Sequence, residues 1–144
     1  MGKKGPKKAM TTKIELCQKL PSVIAITAFW CGHCKNLKPH LAKLKEADGE
    51  HYHVKEIEGG TREVEQQMKD MQVTGFPTIV MYAPKVNQFF VYTGARNSKE
   101  MAHTLKTKMG ELTPENWRQS GFEIWEGAAG AKIDTIVFLP ADQC

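Results

Sequence analysis

The chain has 144 residues, 41% of them hydrophobic and 25% charged, which is enough apolar material for one domain with its own core and too much for a disordered chain. Four cysteines are too few for a disulfide-dense scaffold, and no apolar run reaches the length that crosses a bilayer, so neither a cysteine-stapled mini-protein nor a membrane span is expected. The net charge of +4 comes from the start of the chain, because without Lys3, Lys4, Lys7 and Lys8 the remainder carries 16 basic and 16 acidic residues.

Residues 1–11 read as a basic flexible tail, either a solubilising terminus or a weak contact for nucleic acid or an anionic surface through Lys3, Lys4, Lys7 and Lys8. No apolar segment follows those lysines, Pro6 stands where a myristoylation motif needs Ser or Thr, and the chain ends without a retention tetrapeptide. A cytoplasmic location is therefore expected, with nuclear entry open through the lysines. Thr12-Lys13-Ile14-Glu15 has the form of a capping box, so residues 12–20 read as a short helix closed before Pro21, with Cys17 a small apolar filler beside Ile14 and Leu20. Residues 22–28 form a continuous apolar run, the pattern of a strand covered on both faces. A helix over 34–48 bent at Pro39, a strand near 51–57, a helix near 61–70, strands at 78–82 and 88–93 and a helix over 98–109 complete an αβαβαββα order. Met68, Met71, Met81, Met101 and Met109 read as core fillers.

Beyond residue 110, Thr113-Pro114-Glu115-Asn116-Trp117 reads as a capped helical turn with proline at its first position. After the loose Gly127-Ala128-Ala129-Gly130, residues 132–139 form a β-branched, aromatic strand candidate stopped by Pro140. Cys144 reads as an idle exposed thiol, an intermolecular disulfide partner or a third redox thiol.

The chemistry centres on Trp30-Cys31-Gly32-His33-Cys34, which follows the apolar strand and opens a helix. Two cysteines separated by Gly32 and His33 can close a small disulfide ring there. Cys31 would lie where backbone N–H groups and the helix dipole favour a thiolate, while Cys34, one turn in and shielded, would be the resolving thiol. A protonated His33 beside the sulfur would stabilise the reduced form. A CxxC is also half of a zinc knuckle, but Cys17 and Cys144 stand alone and His51-Tyr52-His53 is not at finger spacing, so no metal is assigned.

Together with Val73-Thr74-Gly75-Phe76-Pro77-Thr78 and Tyr92-Thr93-Gly94-Ala95-Arg96, this motif resembles the thioredoxin superfamily, and its His33 is similar to protein disulfide isomerase domains; the resemblance covers about residues 12–109. It implies an α/β thioredoxin fold with a central mixed sheet flanked by helices in residues 12–110, and residues 111–144 as an extension packed on the same domain. It also implies a thiol–disulfide oxidoreductase in which Cys31, Gly32, His33 and Cys34 are catalytic. Phe76–Pro77 would be a cis peptide facing the dithiol, with Trp30, Phe76 and Pro77 binding an extended protein segment. Arg96 would approach the second cysteine and lower its pKa, the alternative being a solvated arginine at a helix entry. The expected partners are protein thiols or disulfides and a recycling redox partner, acting on a monomer whose only cofactor-like element is the Cys31–Cys34 disulfide itself. The alternative is a binding module holding a partner protein in the groove around Trp30, Phe76 and Pro77.

Two departures from the family pattern stand out. The buried carboxylate expected six residues before the first cysteine is replaced by Ala25, and either Lys55 or Glu56 could point inward from the next strand or Glu56 could face solvent. The usual first strand has no evident counterpart either. Residues 133–139 are therefore expected to add an edge strand in its stead, burying Ile133, Ile136 or Phe138.

Overall fold

At the centre of the protein runs β2 (Ser22–Thr27), all six residues of which are buried. Val23 and Ala25 face one layer while Ile24 and Ile26 face the other, so one unbroken apolar run serves two cores. The computed structural model describes residues 13–47, 50–127 and 136–144. In it β2 pairs in parallel with β3 (His53–Glu58) and antiparallel with β4 (Thr78–Ala83). Antiparallel β5 (Gln88–Val91) and β6 (Glu123–Ile124) extend the sheet, giving the order β3-β2-β4-β5-β6.

Helix α1 (Gly32–Ala47) lays Leu37, Leu41 and Leu44, at helical spacing, over Val23 and Ala25. Met101 of α3 (Ser98–His103) and Leu105 and Met109 of the π-helical turn Thr104–Met109 fill the same layer. Asn97 starts α3, its Oδ1 accepting the Glu100 N–H at 2.8 Å. On the opposite face a 3₁₀ turn (Arg62–Val64) leads into α2 (Glu65–Asp70), and Val64, Met68, Met71 and Val73 close over Ile24, Ile26 and Ile57. This is the expected mixed sheet with helices on both faces.

The two termini differ from the sequence-based expectation. Residues 14–16 form a strand, β1 (Ile14–Leu16), where a helix over 12–20 was expected, so the first strand is present after all. Ile14 and Leu16 are both buried in the second core and Glu15 between them is exposed. Burying two aliphatic side chains stabilises by roughly 3–6 kcal/mol, against about 1 kcal/mol for a helix cap, so tertiary burial overrides the local signal. Thr12, the cap of that expected helix, lies outside the described residues, as do the lysine tail and Ile133. Strand β7 (Ile136–Phe138) does form, but it pairs in parallel with β1, Ile14 opposite Ile136 and Leu16 opposite Phe138, rather than adding an edge to the main sheet. Ile136 and Phe138 are half-buried against the second core. The added edge beyond β5 is β6, contributed by a segment between the expected turn at 113–117 and the loose 127–130 stretch to which the sequence reading assigned no element. Around it Trp117 and Phe122 pack on Phe90 with tilted rings, and Trp125 meets Phe89 edge-on with ring centroids 6.0 Å apart.

Cys17 and Cys144 are joined in a disulfide with Cα atoms 5.6 Å apart. This corrects both readings of these residues as separate thiols, since the β1–β7 ladder and the Leu139 N–H to Leu16 carbonyl bond (2.8 Å) bring the chain end back to the residue after β1.

Candidate functional site

Strand β2 delivers the chain to the sheet end where α1 begins, and the dithiol lies at that junction. The Cys31 carbonyl accepts the first helical bond, from the Lys35 N–H at 3.2 Å, and its own N–H donates to the Ala28 carbonyl at 3.0 Å. Cys31 keeps 9% of its surface exposed while Cys34 is wholly buried. Both are free thiols. Hydrogen bonding from the Cys34 thiol is the foremost cause that lowers the Cys31 pKa, aided by the backbone N–H groups of Cys34 and His33 and by the charge of Arg96. Burial, then the neighbouring Cys31, pushes Cys34 up, opposed by the Ala28 N–H, which donates to Cys34 Sγ at 3.4 Å, and by the charge of Lys38. The two sulfurs are thus set apart, Cys31 at the edge of the surface with its pKa lowered and Cys34 sealed with its pKa raised. Gly32 faces open space, since a Cβ there would meet nothing within 4 Å.

Across from the dithiol the Phe76–Pro77 peptide is cis. The Phe76 carbonyl accepts from Cys31 Sγ at 3.5 Å. Trp30 is 58% exposed, meets Phe76 edge-on at 5.6 Å and donates its Nε1–H to the Gly60 carbonyl at 3.0 Å. Between these rings and residues 59–62 lies a groove of about 350 Å³. Sequence reasoning missed the elements that build this wall. Glu58 Oε2 accepts the N–H groups of Phe29 (3.2 Å) and Gly60 (2.8 Å), tying the CxxC loop to the end of β3. A Cβ on Gly60 would lie 2.5 Å from the Ala28 Cβ and 2.7 Å from Trp30 Nε1, so the loop passes only because residue 60 is glycine. The signal was the Gly59-Gly60 pair directly after the strand that ends at Glu58.

On the floor of the site Ala25 is register partner to Glu56. Because paired residues share a face of the sheet, Glu56 rather than Lys55 is turned toward the α1 side, where it stays exposed to solvent as one of the sequence-based alternatives had it. Its Oε2 accepts from Thr27 Oγ1 at 3.3 Å and forms an ion pair with Lys38 of α1. The hydrogen bond to Glu56 holds the Lys38 pKa up. Arg96 bears on Cys31, while the charges that bear on Cys34 are those of Cys31 and Lys38. Arg96 lines a second cleft, of about 220 Å³, with His33, Asn36, Leu37 and His40. No group of three His, Cys, Asp or Glu side chains suited to a metal ion occurs among the described residues, and no helix there is long and apolar enough to cross a membrane.

The family described as Thioredoxin matches residues 7–107. Among curated relatives, the chain is 27% identical over 132 residues to protein disulfide-isomerase tigA of Aspergillus niger, covering 86% of this chain and 36% of that protein. It is 30% identical over 90 residues to protein disulfide-isomerase erp38 of Neurospora crassa, covering 61% and 24%. It therefore spans about a third or less of the length of these relatives. Among solved structures, the first thioredoxin domain of mouse protein disulfide-isomerase A4 superposes with a TM-score of 0.52 at 23% identity, covering 78% of this chain and 90% of that one. The first two thioredoxin domains of Naumovozyma dairenensis Eps1p give 0.54 at 20% identity, covering 64% and 36%.

Proposed function

This chain belongs to the thioredoxin family, with a domain of the protein disulfide isomerase kind, and from that premise we propose that it is a thiol–disulfide oxidoreductase acting on protein substrates. The observation that carries the reading is the split between the two thiols, Cys31 partly exposed with a lowered pKa and Cys34 sealed with a raised one. In the reductive direction the Cys31 thiolate attacks a substrate disulfide, forming a mixed disulfide and releasing one substrate thiolate. Cys34 then gives up its proton and attacks the Cys31 sulfur. The second substrate sulfur leaves with the electron pair, two electrons have passed to the substrate, and Cys31–Cys34 is oxidised. The oxidative direction runs the same steps backwards, and a recycling dithiol or disulfide protein resets the couple.

In this reading the edge of the cis Phe76–Pro77 peptide and the Trp30 ring present backbone and apolar surface to an extended segment, so substrates are recognised by strand addition. In this reading Glu56, the register partner of Ala25 held by Thr27 and Lys38, stands in for the carboxylate missing at position 25 and accepts the Cys34 proton. The test is trapping. Cys34→Ser is expected to accumulate a mixed disulfide with a disulfide-containing substrate, and Cys31→Ser to form none. If Cys31→Ser retains full turnover, the enzymatic reading fails; if instead both variants hold a partner equally with no covalent adduct, the groove is a binding module.

A further inference from the structure

The two sides of Cys31 are chemically unlike. Toward Trp30 and Phe76 the groove mixes those two rings with apolar surface and charges of both signs, Glu65 with Arg62 and Lys69. On the Arg96 side lies the smaller cleft, and among its five lining residues, His33, Asn36, Leu37, His40 and Arg96, there is no carboxylate. Arg96 is exposed and makes no ion pair with any described residue, so its guanidinium is available to a ligand. His40 is oriented by its backbone contact: its Nδ1 accepts the Ser98 N–H at 3.3 Å, which leaves the ring proton on Nε2 as a donor. His33, Asn36 and His40 lie on one stripe of α1, at helical i, i+3 and i+7 spacing, and Arg96 closes the cleft from the loop before α3. The cleft therefore offers an arginine fork, two imidazoles and an amide, with no negative charge of its own.

We propose that this cleft is a carboxylate-binding subsite, so that the dithiol prefers protein segments carrying Asp or Glu beside the reacting cysteine. The inference rests on the oxidoreductase reading and names its substrate class. An arginine fork donates two parallel N–H···O bonds to a carboxylate, and the His40 Nε2–H adds a third donor. The position beside Cys31 means that such a segment docks its acidic side chain while its disulfide meets the thiolate. A basic residue in the same place would face Arg96 and be repelled.

The experiment uses three disulfide-linked peptides that differ at one position next to the reacting cysteine, Glu, Gln or Lys, and reads the rate of mixed-disulfide formation with the full chain bearing Cys34→Ser. For an exposed site the Glu peptide is expected to react about two to five times faster than the Gln peptide, with the Lys peptide slowest. The advantage should shrink as salt is raised. In the His40→Gln, Arg96→Gln double variant the Glu-to-Gln ratio should fall to about one; the rate on the Gln peptide reports separately any effect of Arg96 on Cys31 itself. Equal rates for Glu and Gln peptides at low salt, or a ratio that survives in the double variant, overturns the subsite and leaves the oxidoreductase reading standing. No adduct with any peptide overturns the oxidoreductase reading, and the subsite with it.

Discussion

Replacing Cys144 with serine tests whether the covalent closure of the chain is part of the fold. The Cys17–Cys144 link spans a sequence separation of 127 residues. In the chain-entropy treatment a loop of that size restricts the unfolded chain by about 5 kcal/mol. That is a ceiling, because the opened native state can relax and relaxation only reduces the loss. The segment free to relax is short: β7 is three residues long, held by its ladder to β1 and by the half-buried Ile136 and Phe138. Cys144→Ser is thus expected to lose about 2–5 kcal/mol in urea unfolding, with a Tm lower by roughly 10 °C at 2–4 °C per kcal/mol for a chain of this size. Reductant should lower the wild type toward the variant while leaving the variant's own Cys17 contribution nil. Coincident unfolding curves within about 0.5 kcal/mol, or ready alkylation of Cys17 in unreduced, unfolded wild-type protein, would refute the reasoning.

Three further outcomes follow from the site. Thiolate absorbance should show Cys31 titrating below the free-thiol value of about 8.5; since its folded pKa is depressed, its contribution to the reduced protein's stability is present above that value and is lost as pH falls through the folded pKa, whereas Cys34, raised by burial, contributes below the unfolded value and loses that contribution as pH rises through its own. Lys38→Met should raise Cys34 further and slow resolution of the mixed disulfide about tenfold, and Glu56→Gln discriminates two roles: resolution slows if Glu56 accepts the proton, and quickens if Glu56 merely neutralises Lys38, which single-turnover release from the mixed disulfide reads directly. Gly60→Ala should cost about 1–3 kcal/mol and shift Trp30 fluorescence, because the new methyl overlaps Ala28 and the indole nitrogen; unchanged stability and emission would mean that the loop has room the geometry denies.

What could be read from the sequence divides along the range of the interactions. The 22–28 run announces a doubly covered strand because Val23 to Ile26 send apolar side chains alternately to both faces of β2, and the five methionines named as fillers lie buried in the two cores. Residues 14–16 were misread because a cap signal is local whereas the burial of Ile14 and Leu16 depends on strands far along the chain. The same holds for Cys17 and Cys144: each cysteine alone looks idle, and only the β1–β7 pairing, made by residues more than a hundred positions apart, brings them together. Strand β6 is two residues long, too short for a periodic pattern, and owes its place to Trp117, Phe122 and Trp125 packing around the β5 edge.

The candidate site follows the same division at closer range. Cys31, Cys34 and the Phe76–Pro77 segment are legible because their chemistry is written in adjacent residues. Glu56 was ambiguous because a strand's facing is decided by register, and only the pairing of Ala25 with Glu56 settles that the carboxylate belongs to the α1 side. Yet Lys38 and His40 were in reach: Lys38 lies four residues after Cys34 and His40 seven after His33, spacings that place each on the same helical stripe as its predecessor. Following the stripe of each active-site residue along α1 separates two electrostatic environments, Lys38 with Glu56 beneath the sealed thiol and His40 with Arg96 flanking the exposed one. A change on one stripe should therefore act on the resolving step and a change on the other on substrate choice, which is why Lys38→Met and the His40, Arg96 double variant are expected to alter different rates.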